Sequence, residues 1–272
     1  MPKRFKTPPL VELAAEIRWG AAAMPQAQGQ GQVIVLAPGQ FEEFFMRFSS
    51  SVGALGYDRV ERIIPPGFPT PPFQATYRFR KKEQEQELGT TLYQVGGGVF
   101  TANITPPYHS WQHFRPVVER GAECLLDTRN PSEKEMPFAP AILRYIDAFG
   151  PKFTEGRTAA TFLQEVLGFT MDLPKALRSE MAAGADVKAV LQFSFPLRSG
   201  QQMNIVLGEG MVRGEQALVM DISVLTETPI TANVRDIMAA FDASHDVIHR
   251  TFVGMTEKLF HIMEPVEGGT DA

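Results

Sequence analysis

Cysteine is almost missing from this chain of 272 residues: one thiol, Cys124, excludes an internal disulfide and any metal site built from clustered thiolates. Long apolar runs are missing too. No stretch reaches the roughly 18 consecutive apolar residues of a membrane-spanning helix. The basic start, MPKRFKTPP, has no apolar segment behind it and does not read as a signal peptide. Nor is there an excess of positive charge. With 26 Lys+Arg against 31 Asp+Glu the net charge is −5, which argues against nucleic acid as the partner, because that binding rests on clustered cations. The expectation is a cytoplasmic protein that is not attached to a membrane.

Several chemistries lack their motifs. No Gly-x-Ser-x-Gly elbow presents a nucleophile. The glycines at Gly208, Gly210 and Gly214 join two strand-like runs and open no helix, so they are not a dinucleotide fingerprint. Gly96-Gly97-Gly98 leads into a strand without the Lys-Ser/Thr of a phosphate loop and reads as a hairpin turn. Cys124 lies among Ala122 and Leu125 with no base beside it in sequence, as a buried, inert thiol would. No cofactor is expected.

What is present is globular: 44% of residues are hydrophobic, and 20 Phe can fill a sizeable core. Residues 10–19 alternate, with Val11, Leu13, Ala15, Ile17 and Trp19 on one face and Glu12, Glu16 and Arg18 on the other, the period of a half-buried strand. A polar loop is expected over 24–32 and an amphipathic helix over 38–56. Five prolines in 63–72 forbid regular structure there. Strands follow over 73–80, 91–95 and 99–104, with the charged run 80–87 at a hairpin tip, and then a helix over 110–126 that contains Pro116. The same order returns: a strand over 137–149, a short helix over 158–168, and strands over 187–197, 201–212 and 216–226.

The last helix is the clearest pattern. Asn233 suits its N-cap. Val234, Met238, Phe241, His245, Ile248, Phe252, Met255, Leu259 and Ile262 then recur at alternating spacings of four and three, a seam of 29 residues and roughly 43 Å. The tail after it is polar and expected to fray. The fold class is therefore α+β. Two β-α-β-β-β-α halves, 1–130 and 131–272, form a mainly antiparallel sheet in one compact unit, covered on one face by helices, with a long C-terminal helix. So long a seam points to a homodimer through that helix, since it would otherwise leave an apolar patch exposed.

Four stretches, PPLVELAAEIRW (8–19), YHSWQHF (108–114), APAILRYID (139–147) and FDASHDVIHRTFVGMTEKLFHIMEP (241–265), carry a resemblance that spans nearly the whole chain in order. They resemble an uncharacterised, sporadically distributed bacterial family of about this length. Its members share a Pro-Pro-x-x-Glu start leading into Glu-Ile-Arg and an aromatic, Tyr-x-x-Trp-x-x-Phe, Leu-Arg-Tyr-Ile and a His- and Phe-containing helical end. The resemblance carries no activity. It implies an accessory gene of the kind found with toxin–antitoxin or phage-defence cargo.

The candidate sites follow from these patterns. Glu16 and Arg18 in the first strand and Arg144 in the equivalent strand of the second half are expected on the sheet face away from the helices, as a groove for a peptide or ligand; the plain alternative is a solvated face with cross-strand ion pairs. Tyr108 and Trp111 read as core or as a partner surface. His109 and His113 flank the start of their helix, where Ser110 suits the N-cap. His245 and His249 have the i, i+4 spacing that can grip zinc, but His245 falls in the apolar seam and no third ligand is evident, so no metal is expected. The leading functional reading is a non-enzymatic interaction protein with a protein partner. The alternatives are a small-molecule-binding module with a cavity between sheet and long helix, and a zinc hydrolase at His245 and His249.

Overall fold

In a computed structural model the residues described are 4–20, 38–65, 68, 71–81, 90–182, 184–185 and 187–266. The loop expected over 24–32 and most of the charged run 80–87 lie outside them. The first half of the chain forms β1 (Arg4–Phe5), β2 (Leu10–Trp19), α1 (Pro38–Gly53), β3 (Arg59–Arg62), β4 (Ala75–Arg80), β5 (Thr91–Gly96), β6 (Val99–Ile104) and α2 (Trp111–Thr128). The second forms β7 (Phe138–Phe149), the short helices α3 (Pro151–Thr154), α4 (Ala159–Glu165) and α5 (Lys175–Glu180), β8 (Leu191–Pro196), β9 (Gln202–Val212), β10 (Glu215–Thr226), α6 (Val234–Met255), α7 (Phe260–Met263) and β11 (Pro265–Val266).

Nine strands make one antiparallel sheet in the order β3-β4-β5-β6-β2-β7-β10-β9-β8. About β2–β7 each half contributes its first long strand to the centre and a three-stranded meander to a flank, as the repeated element order predicts, and the first half adds one more strand, β3, at its edge, which that order did not include. One residue of register separates core from solvent in such a sheet. Here Leu13, Ala15, Ile17 and Trp19 of β2 and Ala141, Leu143 and Phe149 of β7 point into the helix layer and are buried. On that side Phe44 and Phe48 of α1 pack on Trp19, Phe79 and Phe100. Close docking of α2 needs Gly121, where a Cβ would stand 2.5 Å from the Tyr93 ring. The strand expected from Val187 begins only at Leu191. As the sheet edge it leaves Phe193 and Phe195 exposed, so its alternation does not translate into a buried face.

Asn233 caps α6 as its sequence position predicts, accepting from the Asp236 backbone N–H at 2.8 Å. The seam does not stay one helix. At Thr256 the backbone leaves helical geometry, with its N–H and hydroxyl both bonded to the Phe252 carbonyl, and a 3-10 turn over Glu257–Leu259 leads into α7. Thr256 is fully buried, so this break is packed into the molecule. It turns Leu259 and Met263 into the core, which a straight helix would carry past the end of the sheet. The tail is also ordered further than expected. β11 pairs with β1, and Phe5 rests on Phe252 and Phe260 at ring separations of 6.0 and 5.4 Å. The seam residues are buried in, or packed against, the chain's own core, which removes the exposed apolar patch on which the dimer expectation stood.

Phe241→Ala should lower the unfolding free energy by about 3–5 kcal/mol in urea titration, the usual cost of a fully buried Phe. Leu259→Glu should lower the melting temperature and leave the light-scattering mass unchanged, because Leu259 is covered by this chain alone. A change of mass without loss of stability would instead place Leu259 in a contact between two copies of the chain.

Candidate functional site

On the sheet face away from the helices, Arg18 and Arg144 lie on the same side, as expected. Arg144 stands opposite Ala14, two residues from Glu12 and Glu16 and four from Arg18 along β2. They do not form a shared groove wall. The Arg18 Nε donates to Glu16 at 2.6 Å and its guanidinium lies 5.4 Å from the Phe73 ring centre. Arg144 makes a two-point ion pair with Asp221 of β10. Glu12 accepts from the Asn103 side-chain amide at 2.6 Å. This is the solvated face with cross-strand pairs, each contributing little.

Tyr108 and Trp111, in contrast, converge with His245 and His249 around a cavity on the helix side. Its walls are the β1–β2 segment, the entry to α2, the strand β7 and one face of α6. The cavity holds about 80 Å³, room for a small molecule or several waters. Ser110 caps α2 by accepting from the His113 N–H, and this orients Trp111 into the wall. The indole N–H of Trp111 donates to Asp242 of α6 at 2.8 Å, and Arg115 holds the same carboxylate through two nitrogens, at 3.0 Å each. That clamp fixes α2 on α6. The Trp111 ring then stacks on His245 at 5.2 Å, and His245 on His249 at 5.5 Å.

The floor comes from β7. Strand alternation puts Leu143, Tyr145, Asp147 and Phe149 on one face, so a carboxyl group stands in an otherwise apolar stripe. Tyr145 Oη and His245 Nδ1 share a hydrogen bond of 2.8 Å. Asp147 is 3% exposed and lines the cavity, and no hydrogen bond or ion pair of its carboxyl group occurs among the described residues; the wholly enclosed unpaired side-chain atoms there belong to Trp19, Thr76, Arg78, Arg129 and Asn130 instead. Burial pushes its pKa up to about 8. Burial also raises Tyr108 and Tyr145, with the Asp147 charge adding to both. His245 is pulled down to about 4 by burial, then by His249, and His249 is lowered by burial as well. Asp147 escaped the sequence reading, although the Leu-Arg-Tyr-Ile strand that contains it was singled out.

The histidine pair does not assemble a metal centre in the described residues: no group of three or more His, Cys, Asp or Glu there could hold an ion. One nitrogen of His245 is engaged by Tyr145. His109 lines the cavity edge beside His113, ring to ring at 5.4 Å. Cys124 is buried, and burial raises its thiol pKa, away from the reactive thiolate. No helix among the described residues is long and apolar enough to cross a membrane.

The buried acid has a measurable signature. The unfolded chain loses the Asp147 proton near the ordinary 3.8 and the folded chain near 8, so between those values the folded state binds the extra proton and stability falls as pH rises. His245 has the opposite sign. Between about pH 4 and 6.5 the unfolded chain binds the extra proton, so stability rises with pH there, and His249 adds to that rise. Asp147→Asn should therefore match wild type in urea titration below about pH 4 and exceed it increasingly up to pH 8. The gain at neutral pH should be on the order of 4 kcal/mol, at about 1.4 kcal/mol per pKa unit over the roughly three units between 3.8 and 7. A difference that does not change with pH would show that Asp147 ionises normally. Set against family models, curated proteins and solved structures, the chain matches none.

Proposed function

We propose that this protein is a small-molecule-binding module and that its ligand occupies the cavity between β7, α2 and α6. The observation that carries this reading is the Asp147 carboxyl: 3% exposed, without a protein partner among the described residues, and lining the cavity. Its oxygens are not among the wholly enclosed unpaired side-chain atoms of the described residues, so they reach the cavity space, where a polar group keeps its hydrogen-bonding capacity for water or a ligand. An incoming ligand is a partner for it. The surroundings support the same reading. The lining is mostly aromatic and apolar with few convergent polar groups, which is how ligand sites are built, and its titratable groups are perturbed in opposite directions. No group of three or more metal-ligating side chains that could hold an ion accompanies them in the described residues, and the reading is one of binding.

A protein partner is a second reading, favoured by a different place: the sheet edge β8, unpaired on its outer side among the described residues, where Val190, Phe193 and Phe195 are exposed.

The cavity reading is tested by thermal-shift screening of a small-fragment library against wild type and His249→Trp. His249 sits half-buried at the rim, and the larger ring should fill the mouth without disturbing the core. Fragments that raise the wild-type melting temperature should fail to do so in the variant, because only ligands of the folded state stabilise it. A library without hits, or hits indifferent to the substitution, would defeat the reading.

A further inference from the structure

We infer that the ligand is an amine, with a positively charged nitrogen seated against the Asp147 carboxyl and an aromatic or aliphatic body against Trp111, Phe5 and Phe252; this rests on the cavity being a ligand site.

The argument turns on what would satisfy Asp147. Among the described residues it is the only carboxylate lining the cavity, and burial is the cause of its raised pKa. An anionic ligand would place like charge against this group in a poorly hydrated site, where Coulomb repulsion is strong. A neutral alcohol would exchange one hydrogen bond with the protonated acid and leave its ionisation suppressed. An ammonium group does more. It donates to the carboxyl, and its charge makes the ionised form favourable again, giving a charge-assisted bond that is roughly twice as strong as a neutral one.

The walls agree with this choice. Aromatic faces carry negative potential and attract a cation within about 6 Å of the ring centre. Trp111 is held by Asp242 and stacked on His245, so its face is fixed in the wall. Phe5 and Phe252 pack against one another at the end closed by β1. His245 and His249 have lowered pKa values, so at neutral pH neither brings a competing positive charge. Arg4 also lines the cavity, at the end next to Phe5, and is partly exposed.

Proton release separates the classes. At pH 7 Asp147 is mostly protonated in the free protein, so seating a cation should expel close to one proton, and a neutral ligand none. The experiment is isothermal titration of the full chain with benzylamine, benzyl alcohol and benzoate, at pH 7, in two buffers of different ionisation enthalpy. Benzylamine should bind wild type at least about tenfold more tightly than benzyl alcohol, release close to one proton, and lose that advantage in Asp147→Asn. Benzoate should not bind. If benzyl alcohol binds as tightly as benzylamine, with no proton released and no effect of Asp147→Asn, the amine assignment falls and the ligand cavity stands. If none of the three binds at millimolar concentration, both fall. The wild-type comparison needs no variant, so a poorly folding Asp147→Asn would not block the test.

Discussion

The antiparallel pairing of β2 with β7 is the constraint on which the rest of this structure depends. It joins the two halves into one sheet, and its register decides which side chains enter the helix layer. Leu13 stands opposite Tyr145 and Ala15 opposite Leu143, so the apolar alternations of the two strands coincide. Near the start of β2 the register shifts between Leu10 and Glu12, and the extra residue brings Leu10 opposite Asp147. Without that bulge the period-two phase would place Val11, instead of Leu10, opposite Asp147. The same pairing therefore sets both the continuity of the sheet and the floor of the site.

Above that floor α2 and α6 are held by polar contacts as well as by their buried apolar faces. Asp242 receives the Trp111 indole and the Arg115 guanidinium together, so α2 and α6 are tied at one point beside the cavity. Below it, Tyr145 reaches up to His245. The break at Thr256 closes the far end: it releases the chain from the helical axis early enough for β11 to meet β1 and for Phe5 to pack on Phe252. A continuous 29-residue helix, as the seam suggests, would have left the β1 segment without a partner strand.

The sheet and the large helices were legible because each rests on local patterning. Period-two alternation marked β2, apolar runs bounded by turn residues marked β7, β9 and β10, four-three spacing marked α6, and Asn233 and Ser110 marked their caps. What was not legible depends on contacts between distant segments. The two-residue strands β1 and β11 have no pattern of their own and exist because the fold brings them together. The seam continues past Thr256 at the right spacing, and nothing local tells a continuing helix from a bent one that buries the same residues. Arg129 is 1% exposed with its guanidinium 4.5 Å from the Phe138 ring centre, although an arginine just after a helix reads as a solvated charge. The cavity draws on residues near 5, 110, 147 and 248, and proximity between them is invisible before the topology is known. One signal was available: Leu143, Tyr145, Asp147 and Phe149 alternate, and a carboxylate in phase with three apolar residues is a local inconsistency.

That inconsistency points to function. Local preferences and global fold agree almost everywhere in a natural chain, and departures that persist concentrate at working sites. Asp147 departs in two ways at once, as an acid on an apolar strand face and as a buried group without a protein partner among the described residues. The ion pairs of the open face, Arg144–Asp221 and Arg18–Glu16, depart in neither, although they first drew attention as charged residues in matching strands. Charge on a solvated sheet face is what the face requires, and so it says little about purpose. Asp147 differs from both pairs: it is buried on an apolar strand face, and its carboxyl group stands on a cavity wall instead of beside an oppositely charged side chain.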